Sequence, residues 1–179
     1  MYFDNSATTL HKPAALKEKY IKLLESEAYG NPSRSGHALS QNSMMGIFRT
    51  KMDLAKIFNI ADPNDIALTE NASFGLNMVI KSLVKESDHV ITTTTEHNSV
   101  LRPLYQSGAD LSFLDFDENY EVDFDKIPDL INENSKFIIT NHASNLLGNI
   151  NDLDKIYDFA QKYNLTMIID IAQTAGCVD

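Results

Sequence analysis

Asp170 and Gln173 close an apolar run over residues 165–176, LTMIIDIAQTAG. An acid directly after Met167, Ile168 and Ile169 is the pattern of a buried parallel strand that carries a carboxylate out of its C-terminal end. In open α/β sheets that end faces the ligand crevice. A carboxylate there is costly unless a cation or several donors meet it. Asp170 therefore reads either as a helix N-cap or as the partner of a protonated ring nitrogen. In the second case it keeps a pyridinium charged, and the ring can act as an electron sink.

Three other segments carry polar groups of useful type. Glu70, Asn71, Ala72 and Ser73 lead into an apolar helical stretch. Small residues at a helix start leave backbone N–H groups open to an anion, and Ser73 adds a hydroxyl. The plainer reading of Ser73 is an N-cap. In 94–98 (TTEHN), His97 offers a ring able to stack on a flat heteroaromatic, or is an ordinary hydrogen-bonded histidine. In 141–148 (NHASNLLG), Asn145 supplies both a donor and an acceptor, although Asn-rich loops are also simple turns. Together the four places suit a phosphate, a stacked ring, a phenolic oxygen and a pyridine nitrogen. Pyridoxal 5′-phosphate (PLP) has those four features. A metal site is not supported, because the five histidines show no close pair spacing and the single cysteine rules out a CxxC motif.

The elements that must hold these residues follow from periodicity. Pro13 and the helix formers of 14–28, with Leu16, Tyr20, Leu23 and Leu24 at helical spacing, predict a first helix. Residues 38–58 predict a longer one, with Met44, Ile47, Phe48, Met52, Ala55 and Ile57 as apolar positions. Strands are then expected at 65–69, 89–93, 110–114, 136–140 and 166–169. Helices are expected at 74–84, 99–105, 124–132 and 153–163. Short apolar strands alternating with helices predict βαβ units and a mainly parallel α/β sheet, with strand C-termini on one edge. Residues 1–30 form an N-terminal segment and helix, and 31–179 the βα units.

Composition narrows the class. The chain has 179 residues, 43% of them hydrophobic, enough for one packed domain or a large piece of one. Its 25 acidic and 15 basic residues give a formal charge of −10, which argues against a nucleic-acid partner. Cys177, the single cysteine, excludes an intramolecular disulfide and is expected as a small core residue. The start, MYFDNSATT, lacks the basic and apolar regions of a signal peptide, and no run of about 18 apolar residues would span a membrane. A soluble, cytoplasmic protein is expected.

Six segments in order resemble the N-terminal half of a class V aminotransferase-type PLP enzyme, most of all the cysteine desulfurases: 2–9 (YFDNSATT), 30–37 (GNPSRSGH), 68–77 (LTENASFGLN), 95–100 (TEHNSV), 142–148 (HASNLLG) and 169–176 (IDIAQTAG). The resemblance implies a three-layer αβα fold, the aspartate aminotransferase-like large domain, incomplete at its C-terminal side. It implies that Ala72 and Ser73 hold the phosphate, with Ser73 where the family usually has Thr. It further implies that His97 stacks on the ring, Asn145 sits near the phenolic oxygen and the substrate, Gln173 hydrogen-bonds the phenolic oxygen, and Asp170 pairs with the pyridine nitrogen. The implied catalytic residues are His97 and Asp170. The implied reaction removes sulfur from L-cysteine to give alanine and an enzyme-bound persulfide, in a homodimer that serves a sulfur-acceptor protein. A selenocysteine lyase or another class V aminotransferase shares these motifs. Phe74 departs from the Glu common after the phosphate-binding Thr. The lysine that anchors the cofactor is expected downstream in a Ser/Gly-His-Lys setting, yet no lysine follows Lys162. The chain alone is therefore expected to be a catalytically silent cofactor-domain fragment.

Overall fold

The computed structural model describes residues 1–34 and 36–178; Ser35, inside the 30–37 motif, and Asp179 lie outside the described residues. The chain divides into two compact units, Met1–Leu68 and Thr69–Asp179.

In the first unit, helices α1 (Ala14–Glu25) and α2 (Ala38–Ile57) form where the spacing predicts them. Pro13, with φ −54°, precedes α1. His37 caps α2, its ring accepting the Ser40 amide at 3.3 Å. Ser43 donates to the Gly30 carbonyl at 2.6 Å and accepts the Gly30 amide at 3.0 Å, which straps the 30–31 loop to α2. No residue of α1 is buried, and only Ser40 and Ala55 of α2 are. Leu16, Tyr20, Leu23, Leu24, Met44, Ile47, Phe48, Met52 and Ile57 all stay exposed.

The second unit is a sheet of four parallel strands, β1 (His89–Thr93), β2 (Asp110–Leu114), β3 (Ser135–Asn141) and β4 (Thr166–Asp170), in spatial order β2-β1-β3-β4. The helices are α3 (Ala72–Leu83), α4 (Asn98–Ser107), α5 (Ile127–Leu130) and α6 (Leu153–Lys162). Alternation along the strands sends side chains to opposite faces. Val90, Phe137 and Ile139 join Ile80, Val84, Val100 and Leu104 on the α3–α4 side. Ile91, Leu114 and Ile138 join Ile127, Ile156 and Ala160 on the α5–α6 side. The unit is thus a three-layer αβα arrangement. Ile91 and Ile138 have no exposed surface, and cutting either to Ala would cost about 2–5 kcal/mol.

The connections locate the crevice. The chain leaves β1 through α4 on one face to reach β2, then returns through α5 on the other face to β3. Right-handed crossovers require that change of face when the direction reverses. The reversal lies between β1 and β3, so the space outside their C-terminal ends is a topological switch point.

Three expectations are corrected. Residues 65–69 form no strand: Pro63–Asp65 is a 3-10 turn capped by Asp62, whose carboxylate accepts the Asn64 amide at 2.8 Å. An extended segment becomes a strand only when a neighbour completes its ladder, and none of the described residues does so here. The helix expected at 124–132 is a 3-10 turn, Phe124–Lys126, followed by the four-residue α5, with Pro128 at its start. Cys177 is exposed, not in the core. It lies in the turns that follow β4, where Thr174 takes the buried position at 3% exposure.

The N-terminal edge of the sheet is tied by polar groups. His89 is 1% exposed, with Nδ1 2.7 Å from Ser135 Oγ and Nε2 2.8 Å from Ser112 Oγ, so one ring bridges β1, β2 and β3. Asp88, buried beside it, pairs with Lys136 and accepts the Lys85 amide at 2.9 Å. Burial holds the His89 imidazole below the ordinary histidine range, so the folded state favours the neutral ring. Its contribution is complete above the unfolded value of about 6.5 and is lost as pH falls below it. Urea titrations should therefore show the stability difference between wild type and His89→Gln shrinking as pH drops from about 7 to about 5.5. A difference that stays constant over that interval would contradict the buried neutral ring.

Candidate functional site

The C-terminal edge of the sheet gathers most of the residues singled out above. Helix α3 begins at Ala72, capped by Asn71, whose side chain accepts the Phe74 amide at 2.8 Å while its carbonyl accepts the Gly75 amide at 3.1 Å. The first two amides of α3, those of Ala72 and Ser73, have no intrahelical acceptor. Both residues are exposed. Asn71, not Ser73, makes the cap, so the Ser73 hydroxyl is available for another contact. It lies 2.6 Å from Ser99 Oγ, and Ser99 Oγ is 2.7 Å from His97 Nδ1.

His97 follows β1 and caps α4, its Nδ1 accepting the Ser99 amide at 3.1 Å. A neutral ring that accepts at Nδ1 carries its proton on Nε2. In that form the Ser99 hydroxyl donates to Nδ1 and accepts from Ser73. Two helix N-termini are thereby linked through three side chains, and the imidazole remains exposed.

Asp170 ends β4 in register with Asn141, the last residue of β3. Its carbonyl accepts the His142 amide and its Oδ1 accepts the Ala172 amide, each at 2.9 Å. Asp170 is half-buried, and no cation pairs with it among the described residues. It starts a run of turns, not a helix. Gln173 is half-buried in those turns. Thr174 pins them to the end of β3, its Oγ1 lying 2.9 Å from His142 Nδ1. Asn145 is half-buried in the loop after β3, and its side-chain amide has no hydrogen-bond partner among the described residues. That loop is shaped by Ser144, whose hydroxyl accepts the Leu146 and Leu147 amides at 3.3 Å.

Sequence reasoning missed what holds this edge together. Glu96 is 7% exposed and Asn141 5%. Glu96 Oε1 accepts from Thr93 Oγ1 at 2.6 Å, from the Asn141 amide at 2.8 Å and from Asn141 Nδ2 at 3.1 Å. Asn141 Nδ2 also donates to the Thr95 carbonyl at 3.0 Å. Asn151 Nδ2 donates to the Asn141 carbonyl at 2.8 Å and to its Oδ1 at 3.1 Å. The sequence offered only a weak signal: an acid three residues past the strand HVITT, next to His97. Burial, and to a lesser degree the charge of Asp170, push the Glu96 carboxyl up to about 7.

A family model for class-V aminotransferases matches residues 1–178. A probable cysteine desulfurase of Synechocystis sp. is 32% identical over 183 residues, covering 98% of this chain and 43% of that one. Among solved structures, cysteine desulfurase CsdA from Escherichia coli is 27% identical with a TM-score of 0.78, covering 97% of this chain and 45% of that one. SspA in complex with cysteine is 26% identical with a TM-score of 0.85, covering 97% and 51%. The chain spans about half the length of the relatives it matches.

The raised Glu96 carboxyl carries a stability cost with a defined sign. Below 4.5, its ordinary value, folded and unfolded chains are both protonated and the cost is absent; it grows as pH rises and is complete above about 7. At full size it is about 3 kcal/mol. Glu96→Gln cannot ionise, so its urea-derived stability should gain on wild type as pH rises from about 5 to about 7.5. A wild-type-to-variant difference independent of pH would show that Glu96 ionises normally.

Proposed function

The chain belongs to the class-V aminotransferases, and from that membership we propose that its second unit forms one side of the PLP site of a cysteine desulfurase-like enzyme. One observation supports this above the others. Asp170, without a cation, ends its strand on the same sheet edge as the exposed His97 ring, which Ser99 links to the N-terminus of α3.

The donor set fits the group. The open amides of Ala72 and Ser73 would hold the phosphate at a positive helix end, and the Ser73 hydroxyl would join them by turning its proton from Ser99 to the phosphate. His97 would lie against the ring. Asn145 and Gln173 would hydrogen-bond the phenolic oxygen. Asp170 would accept the N–H of the ring nitrogen and hold the proton there as a charge-assisted hydrogen bond. When bound, PLP supplies an electron sink for bond-breaking at the substrate's α-carbon. The substrate proposed is L-cysteine, with alanine and a persulfide as products and a sulfur-acceptor protein as the next partner. The cysteine held by SspA supports that choice.

No lysine within residues 1–179 has the Ser/Gly-His-Lys setting. In this reading the anchoring lysine comes from outside the stretch, and turnover requires it. Residues 1–179 alone then make a cofactor-binding but catalytically silent piece of a dimeric enzyme. No helix among the described residues is long and apolar enough to cross a membrane, and cytoplasmic placement is part of the proposal.

PLP titration followed by absorbance tests the site. Wild type should bind, and Asp170→Ala and Ser73→Ala should each bind about tenfold or more weakly, the scale of one lost hydrogen bond to a charged group. Affinity unchanged in Asp170→Ala would remove the pyridinium role. Borohydride reduction and peptide mapping should find no stoichiometric pyridoxyl-lysine in residues 1–179; finding one would refute the external anchor. In a longer protein that carries this half and the lysine, Asp170→Ala should lower turnover of L-cysteine by about 100-fold or more.

A further inference from the structure

One buried acid has no part in the contacts proposed for PLP. Glu96 uses Oε1 for its hydrogen bonds to Thr93 and Asn141, and the Thr140 hydroxyl beside it favours the charged carboxyl to a small degree. Its other oxygen, Oε2, is buried without a hydrogen-bond partner among the described residues. No cation pairs with it there. An isolated ionised carboxylate in such a place is strongly disfavoured, and a neutral acid is not.

The groups around it are few. Asp170 stands one strand beyond Asn141, in register with the residue that Glu96 grips. His97 is next in the chain, with Nδ1 turned to Ser99, and His142 adjoins Asn141, with Nδ1 turned to Thr174. Glu96 therefore sits at the β1–β3 switch point beside the acid assigned to the ring nitrogen.

We propose that Glu96 is a positioning residue of this site: its free oxygen carries a proton beside Asp170, so the two acids present one negative charge to one ring-nitrogen cation. The inference rests on the PLP reading above. Burial and the Asp170 charge act on Glu96 toward the protonated form, and burial outweighs the hydrogen bonds from Thr93, Asn141 and Thr140 that favour the charged one. A second full charge would repel the first; a proton on Glu96 removes that repulsion and leaves the Asp170 oxygens available to the ring. Bringing a cation to Asp170 offsets that repulsion, so binding should make Glu96 easier to ionise.

Carbon-13 NMR of the side-chain carboxyls in the 179-residue chain tests this, with Glu96→Gln assigning the resonance. Wild-type Glu96 should titrate near neutrality, and Asp170→Asn should lower its midpoint by about half a pH unit or more. Saturating PLP should lower it more than the 1-deaza analogue, which keeps the phosphate and lacks the ring nitrogen. A midpoint in the ordinary carboxylate range, or one unmoved by Asp170→Asn, overturns the proposal. So do equal shifts from the two cofactors when the absorbance of each shows it bound. The cofactor comparison uses wild-type protein and decides the matter even if Asp170→Asn does not fold. PLP that leaves absorbance unchanged counts instead against the cofactor reading, and the Asp170→Asn titration then decides the carboxyl pair by itself.

Discussion

The hydrogen bonds between Glu96 and Asn141 are the constraint on which the rest of the edge depends. They span the two central strands where the sheet reverses its winding. Asn141 is saturated: its amide and side-chain nitrogen meet Glu96 and Thr95, and its oxygens meet Asn151. A buried polar network of this kind is strong when complete and costly when broken. It fixes the loop that carries His97 and the loop that carries Asn145. Through the β3–β4 ladder it also sets the height of Asp170. The stabilisation is bought with one unsatisfied oxygen on Glu96, which is where the site departs from the rule that buried polar atoms are paired.

The edge is electrically divided. At one end stand two helix N-termini with open amides and hydroxyls; at the other stand two acids. Among the described residues neither end uses lysine or arginine in an ion pair. A ligand with an anion at one end and a cation at the other matches that division, whereas a dianion without a ring nitrogen would meet the acids. The helix ends contribute about 0.3–1 kcal/mol each to holding negative charge. Selectivity in the proposed site would then come from the separation of the two ends more than from any single strong contact.

Much of this was legible in the sequence. The strands at 89–93, 110–114, 136–140 and 166–169 stood out because apolar runs bounded by polar residues have few other uses. Asp170 stood out because an acid after Ile168 and Ile169 needs a reason. Glu96 did not, since an acid in TTEHN reads equally well as a solvated loop residue; only the folding together of β1 and β3 buries it. Residues 65–69 carry a strand's composition without a neighbour among the described residues to make them one. Cys177 reads as core by residue type, but the turns after β4 turn Thr174 inward and leave the thiol outside. His37 and His97 share an unforeseen part, each capping a helix with Nδ1. Capping depends on where the helix begins, the least certain feature of a sequence pattern.

The division of labour along the chain bears on what these residues can specify. The residues at the edge address the ring, its phosphate and its nitrogen, and none of them has an assigned contact with a substrate side chain. Sites of this composition would serve a desulfurase, a selenocysteine lyase or a transaminase equally, because fold and cofactor contacts do not choose the reaction. Choice requires groups that touch the substrate's carboxylate and its sulfur. The assignment to cysteine therefore leans on relatives, while the assignment to a phosphate-bearing, ring-nitrogen cofactor leans on Asp170, His97 and Ser73 themselves. If the acid pair at the switch point carries one proton, the charge presented to the ring is set by Glu96 as much as by Asp170. The electronic character of the bound cofactor would then be fixed by residues of this sheet edge, before any substrate-selecting residue takes part.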